Sequence, residues 1–363
     1  MLVQAGTPWN LNFHILDPNR HCPASLVCPN VVEGNFNDYD AVMSFGSDKD
    51  LLTIEIENVH TGALRELQQA GKRVFPSPEV IEHIKDKGIQ KSFYTKHQIP
   101  TSPYVLVKSK QEILDKIKQQ ELTMPFVQKL RTEGYDGRGV AVIKSHHDTE
   151  LIMEGPSIVE EAVKIDKELA VLVCRGREGQ VSTFEPVEMV FDEKANLVDY
   201  LVSPARITEQ QMQEAKNLAL KVSEAFGTAG IMAVEMFLDQ NGKMLVNEVA
   251  PRPHNSGHQT IEGTITSQYE QHLRSILGMP LGSTINTSST VMLNILGAEG
   301  HTGAAKVKGF EEVLKVPGAH IHLYGKSQTK PFRKMGHVTI ESDNLHDALD
   351  SAHRIKSMIE VVT

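Results

Sequence analysis

Residues 247–263 read NEVAPRPHNSGHQTIEG. The stretch begins as the end of an apolar strand and turns into a polar loop rich in Gly and Pro. It gathers a carboxylate (Glu248), a guanidinium (Arg252), two imidazoles (His254, His258) and an amide (Asn255). Loops that hold so many polar groups together are usually sites rather than connections. Just upstream, residues 231–238 (IMAVEMFL) and 243–249 (KMLVNEV) read as strands joined at Asn241-Gly242, a dipeptide that favours a two-residue hairpin turn. With Gln240 facing Lys243, Glu235 and Glu248 are expected directly opposite on one face, their Cβ atoms roughly 5 Å apart. Such a pair repels unless a cation sits between the two or one is protonated. With Asn247 alongside, it makes an oxygen-ligand set suited to Mg²⁺ carried on a polyphosphate.

Composition narrows the classes. The 363 residues are 40% hydrophobic and 23% charged, enough for a large core and two or three domains. A net charge of −9 with no long basic stripe argues against a nucleic-acid partner. Cys22, Cys28 and Cys174 are too few for a disulfide framework, and the first two are not at zinc-finger spacing. No apolar run approaches membrane-spanning length and no signal peptide opens the sequence. A soluble, cytoplasmic protein is expected.

The first 76 residues alternate strand-like and helix-like segments: strands at 11–17, 51–59 and 72–75, helices at 39–45 and 61–71. That pattern predicts a parallel sheet with helices on both faces. Such folds normally open with a strand and a glycine-rich turn, and this sequence starts without them. Pro76-Ser77-Pro78 closes the segment. Helices are predicted over 78–87 and 88–97, then strand 104–107, helix 109–119 and strand 125–129. Helix 208–226 has a capping-box pattern (Thr208, Gln211) and a terminal Gly227. Beyond the polar loop come helix 267–277, strands at 290–296, 320–324 and 337–341, and helix 345–357.

Residues 128–140, QKLRTEGYDGRGV, lie between two predicted strands rather than a strand and a helix, which excludes a P-loop and a dinucleotide fingerprint. Gly134, Gly137 and Gly139 would let backbone N–H groups approach phosphate oxygens from a hairpin flap, with Lys129 at its root. IVEEAV, residues 158–163, reads as a strand leading into a connecting segment, with Glu168 beyond it.

Taken in order, TIEIENV (53–59), GYDGRG (134–139), NEVAPRPHNSGHQTIEG (247–263) and FRKMGH (332–337) resemble the ATP-grasp superfamily. The nearer resemblance, along the whole sequence, is to its 5-(carboxyamino)imidazole ribonucleotide synthases of de novo purine synthesis. The resemblance implies an α/β chain in three parts: a Rossmann-like N-terminal domain (1–76) whose first strand is missing, an ATP-grasp α+β domain (77–278) with a lid subdomain near 100–160, and a small C-terminal domain (279–363). It implies ATP- and bicarbonate-dependent carboxylation of 5-aminoimidazole ribonucleotide, through carboxyphosphate, by a homodimer using Mg²⁺. By position, ATP would meet Lys87, Lys129, the loop Gly134, Tyr135, Asp136, Gly137, Arg138, Gly139 and Val140, the segment Glu160, Glu161, Ala162 and Val163, and Glu168, Asn247 and Glu248. Glu235 and Glu248 would hold the metal. Glu57, Asn255, Lys326, Arg333 and Lys334 would hold the ribonucleotide, and Arg252, His254 and Asn255 would line the reaction cavity. Two features depart from the pattern: the start lies past a GQLG-type turn, and residues 185–193 lack the His and Asn common there, so no site residue is assigned to them.

Other polar groups read plainly. His146-His147 reads as an exposed turn. His320 and His322 share one strand face, and the basic run Lys326, Lys330, Arg333, Lys334 would by itself be a solvated surface. Two competing functions stand beside the synthase: a sister ATP-grasp enzyme using formate or biotin, and a truncated ATP-binding remnant without turnover.

Overall fold

The computed structural model describes residues 1–132, 139–192 and 197–363. In the N-terminal part, strand Ile15–Asp17 runs parallel to Val31–Glu33, and Leu51–Thr53 runs parallel to Arg73–Phe75. The predicted sheet is therefore two separate parallel pairs among the described residues. Both long strand predictions shrink, 11–17 to its last three residues and 51–59 to its first three. Leaving the ladder at Thr53 frees the IEIEN stretch, so that Glu57 reaches out of the N-terminal core toward the 247–263 loop. Helices Tyr39–Gly46 and Thr61–Gln69 are capped by the Asp38 carboxylate and the His60 ring, each accepting from a backbone N–H. With Val42, Leu52, Ile54, Leu64, Leu67, Val74 and Ile81 buried, this part has its own core.

Pro78 starts helix Pro78–Lys85 at a position where the missing N–H costs nothing. Asp86 then caps helix Lys87–Lys96, its carboxylate accepting from Gly88 N (2.8 Å) and Ile89 N (3.1 Å). Strands Tyr104–Val107, Ser157–Glu161, Phe126–Leu130 and Val140–Ile143 pair in that order as an antiparallel sheet, backed by helix Lys110–Lys118. The flap lies between the last two of these strands. Its residues Gly134, Tyr135, Asp136, Gly137 and Arg138 lie outside the described residues.

A nine-stranded antiparallel sheet forms the body. Its order is Met244–Ala250, Gly230–Asp239, Ile165–Arg175, Val187–Asp192, Leu197–Ser203, Ser289–Leu296, Lys334–Ser342 and Ala319–Leu323, with Val181–Thr183 paired beside Ile165–Arg175. Pairing of Leu197–Ser203 with Ser289–Leu296 carries the sheet across the seam read at 278/279. Helix Glu209–Phe226 covers one face with Ala215, Leu218, Ala219, Val222 and Phe226, and both capping-box hydrogen bonds form (3.3 and 2.9 Å). No helix among the described residues is long and apolar enough to cross a membrane.

The polar loop lies against this sheet with almost no clearance. A Cβ on Gly257 would come within 2.4 Å of Leu172 Cδ1 and 2.5 Å of Gln268 Oε1. Buried Gln268 clamps the loop backbone in both directions, accepting from His254 N (2.9 Å) and donating to His254 O (2.8 Å). Gly257→Ala is expected to cost about 1–3 kcal/mol through overpacking, read as a lower melting temperature.

Candidate active site

The hairpin carries its two glutamates together by a route that differs from the predicted one. The turn is longer than two residues: Asp239 N donates to Lys243 O (2.9 Å), and pairing starts with Leu238 opposite Met244. That shifts the register by one residue. A bulge between Val234 and Met236 shifts it back, so Val234 faces Val249. Glu235 therefore lies opposite the bulged Asn247–Glu248 instead of in a regular pair. Bulges commonly re-aim side chains beside sites. On the neighbouring strand, Phe237 pairs with Glu168, which puts Glu168 on the same face as Glu235, one diagonal step away.

Ammonium groups from other elements meet these carboxylates. Lys87 Nζ, in the first turn after the Asp86 cap, lies 2.6 Å from Glu248 Oε2. Lys129 Nζ lies 2.7 Å from Glu160 Oε2 and donates to Asn247 Oδ1 (2.8 Å). The other Glu160 oxygen is held by Lys91, which also bonds Thr101. Glu160 and Lys91 are both buried, 3% and 2% exposed. The Glu160 side chain, expected at the nucleotide, is thus taken up by two lysines. Lys91 was not singled out from sequence; a lone Lys in a helix facing a core carries no local signal. Arg131 grips Asp86 through two hydrogen bonds (2.9 and 2.7 Å), tying the flap strand to the Lys87 helix.

The third wall is the loop with its C-terminal neighbours. Arg252 Nε lies 2.8 Å from Glu57 Oε1, joining loop and N-terminal part. His254 Nδ1 pairs with Ser256 Oγ (2.9 Å), and its Nε2 faces Glu235 Oε1 at 3.5 Å. The Asn255 amide is bonded to Asn294 on strand Ser289–Leu296 (2.9 Å). Lys334 lies near enough to bear on the charge of both Glu235 and His254. Lys326 donates to Lys334 O (2.6 Å), and Arg333 donates to Gln328 O (2.7 Å). Glu161 is exposed; its N–H is bound to Pro103 O (3.0 Å), and Ala162 and Val163 form the linker to Ile165–Arg175. Gly139, with φ +70°, and Val140 close the flap base. His146 and His147 lie exposed in a short 3₁₀ helix. His320 pairs with Glu341 (3.3 Å), while His322 pairs with Glu262 (2.7 Å) in the wall of the loop.

Charge in the cleft is unevenly compensated. Lys87 holds Glu248 down at about 2, against burial. Burial, and then the neighbouring Glu248 and Glu168, push Glu235 up to about 8. Burial pushes Glu168 up to about 7, opposed by Lys129 and reinforced by Glu248. Burial, with Arg252 nearby, lowers His254 to about 3, leaving a neutral imidazole at neutral pH. The donor set is hard oxygen, and its least compensated member is a carboxyl that a divalent cation would ionise. Among the described residues no three His, Cys, Asp or Glu side chains converge as a self-sufficient metal site. An ion here fits only if further oxygens come from a bound ligand.

An antiparallel four-stranded sheet that sends Lys129 toward paired carboxylates at the edge of a second, longer sheet, with Lys87 between, has the two-sheet arrangement of an ATP-grasp protein. Family models agree: a ribonucleotide synthetase preATP-grasp domain matches residues 1–85, an ATP-grasp domain 92–269, and a phosphoribosylaminoimidazole carboxylase C-terminal domain 290–351. The chain is 36% identical over 343 residues to the N5-carboxyaminoimidazole ribonucleotide synthase of Bacillus subtilis, covering 93% of this chain and 87% of that one. The N5-carboxyaminoimidazole ribonucleotide synthetase structure from Thermotoga maritima superposes with a TM-score of 0.92 at 38% identity, covering 100% of this chain and 96% of that one. The Aspergillus clavatus N5-carboxyaminoimidazole synthase, in complex with ADP and 5-aminoimidazole ribonucleotide, gives 0.87 at 31%, covering 98% and 95%. The chain belongs to the N5-carboxyaminoimidazole ribonucleotide synthase family of ATP-grasp ligases. It spans 67% and 62% of the length of two fungal phosphoribosylaminoimidazole carboxylases that it also matches.

Lys91→Met leaves Glu160 buried with one partner, and a loss of about 3–5 kcal/mol is expected in urea unfolding. Glu235 and Glu168 bind protons more tightly folded than unfolded, so their own contribution to the stability of the ligand-free protein is lost as pH rises from about 4.5 through about 7 to 8; buried His254 and His272, held neutral by the fold, act the other way up to about 6.5, so the downward slope emerges above that pH. Glu235→Gln should flatten that slope in melts taken across the same pH range.

Proposed function

We propose that the chain catalyses the ATP-dependent carboxylation of 5-aminoimidazole ribonucleotide by bicarbonate, releasing ADP and phosphate, in purine biosynthesis. The observation that carries this reading is the meeting, in one cleft, of the Glu235–Glu248 hairpin with its lysines and the Arg252–His254–Asn255 loop, in a chain of this family. Terminal phosphoryl transfer to bicarbonate would give carboxyphosphate. The substrate amine then takes the carboxyl group and phosphate leaves.

Lys87 and Lys129 are assigned to the ATP phosphates, with Asn247 and the flap; Glu161, Ala162 and Val163 to the base; and Glu168 to the ribose. Glu160 acts by fixing Lys129 and Lys91. Glu235 and Glu248 would hold Mg²⁺ together with phosphate oxygens, and the ion would supply charge stabilisation on the transferring phosphoryl group. Lys87, already seated on Glu248, would turn to the phosphates when the ion takes that carboxylate. Neutral His254 can hydrogen-bond the carboxyl donor without repelling Arg252, whose guanidinium would steady the anion. Arg333, Lys334 and Lys326 would meet the ribonucleotide phosphate, Arg333 being suited to a bidentate contact, with Glu57 and Asn255 on the imidazole side. This places ATP on the 77–278 part and the ribonucleotide between it and the 1–76 and 279–363 parts. A cytoplasmic homodimer completes the proposal.

ADP release should require ATP, Mg²⁺, bicarbonate and the ribonucleotide together. Formate dependence would instead mark a transformylase, and ATP binding without turnover a remnant. Glu248→Ala should lower turnover on the order of 10²–10³-fold in a protein that melts at a lower temperature, because Lys87 loses its partner, but is still folded at the assay temperature; near-normal turnover would remove Glu248 from its role.

A further inference from the structure

One row of polar residues crosses the C-terminal sheet where an apolar face would be expected. Asn294, in the apolar strand Ser289–Leu296, pairs with His337 on Lys334–Ser342, and His337 pairs with His322 on Ala319–Leu323. Each member meets one residue of the catalytic loop. Asn294 and Asn255 exchange amide hydrogen bonds (2.9 and 3.3 Å), and Val198 O fixes Asn294 by accepting from it (2.8 Å). The His337 ring packs against His258 with centroids 4.8 Å apart. His322 Nε2 lies 2.7 Å from Glu262 Oε1.

The spacing on the two sides matches. Positions 255, 258 and 262 fall on one side of the helical turns Asn255–Gly257 and Thr260–Gly263. Neighbouring strands are about 4.8 Å apart, close to the rise of one helical turn. Lateral bonds steady the row. His322 stacks on His337 at 4.5 Å, and His258 Nδ1 meets Tyr269 Oη (2.9 Å) and Gln268 Nε2 (3.0 Å). His337 Nδ1 meets Tyr324 Oη (3.0 Å), whose ring lies 5.4 Å under the Lys326 ammonium. His337 Nε2 is buried without a hydrogen-bond partner. An apolar ring would remove that orphaned nitrogen but leave the Tyr324 hydroxyl without its partner, so only one side of the imidazole is repaid by a hydrogen bond.

We propose that Asn294, His337 and His322 are positioning residues. They hold the 252–263 loop, where the carboxyl donor is activated, in register with the strand ends that carry Lys326 and Lys334 to the ribonucleotide. This rests on the function proposed above. A loop displaced along the row would still meet ATP, because Lys87, Lys129 and Glu248 lie outside the row. It would present the activated carboxyl group out of line with the acceptor amine, and water would take it instead.

The test measures phosphate released and ribonucleotide consumed in parallel, on the full chain, for Asn294→Ala, His337→Phe, His322→Leu and the conservative His322→Gln. In Asn294→Ala and His337→Phe, phosphate per ribonucleotide should rise from one to about three or more, and the ribonucleotide KM about tenfold, with the KM for ATP within about twofold. His322→Gln, which keeps a donor for Glu262, should restore what His322→Leu loses. A ratio of one in every folded variant, or equal losses in all parameters tracking a lower melting temperature, overturns the proposal. Absence of ribonucleotide-dependent phosphate release in the parent chain would instead overturn the underlying function.

Discussion

Mutual repulsion of half-buried carboxylates is the constraint around which this molecule is arranged. Glu168, Glu235 and Glu248 lie on one patch of sheet, and burial makes their charges costly. Lys87 answers Glu248 directly. Lys129 reaches the same patch through Asn247 and is anchored by Glu160, which in turn shares its second oxygen with Lys91. What is left over falls on Glu235, whose carboxyl stays protonated near neutral pH. A divalent cation bound there with phosphate oxygens, as proposed, would displace that proton and supply the positive charge in its place.

The scaffold delivers these groups from different directions at little cost in flexibility. The carboxylates come from the edge of the long sheet, the lysines from a capped helix and the flap sheet, and the loop from the strand Met244–Ala250. Gln268 and the close approach at Gly257 fix the loop against the sheet. Because the sheet continues through Leu197–Ser203 into Ser289–Leu296 and Lys334–Ser342, the metal-type pair and the basic C-terminal residues share one continuous hydrogen-bonded frame. A shift of one would be felt by the other through backbone pairing, not across a flexible linker.

Several features were readable from local sequence. Helix Glu209–Phe226 has its cap, its apolar stripe and its terminal Gly227 at the expected places, because each is set by neighbours three or four residues away. The hairpin around Asn241-Gly242 and the nearness of Glu235 to Glu248 were also legible, although a longer turn and a compensating bulge brought the pair together. The resemblance carried by the 247–263 loop pointed to the family that the comparisons then established. Strands Ile165–Arg175, Val187–Asp192 and Leu197–Ser203 escaped the sequence reading; residues 169–174 of the first are covered on both faces, and the other two are buried only at one end, so none shows the alternation that marks a half-buried strand.

Sequence alone determined which chemical groups this protein owns, the strand–turn–strand that carries two acids, and the helices whose signals lie within a few residues. Tertiary structure alone decided that Glu160 serves two lysines, that Lys91 belongs to the cleft, that Glu57 reaches Arg252, and that Asn294, His337 and His322 line up under the loop. The physical reason is range. Caps, turns and periodicity act over a single turn of chain, whereas partners for a buried charge or amide come from strands and helices dozens of residues away, and only the folded sheet brings them within hydrogen-bonding distance.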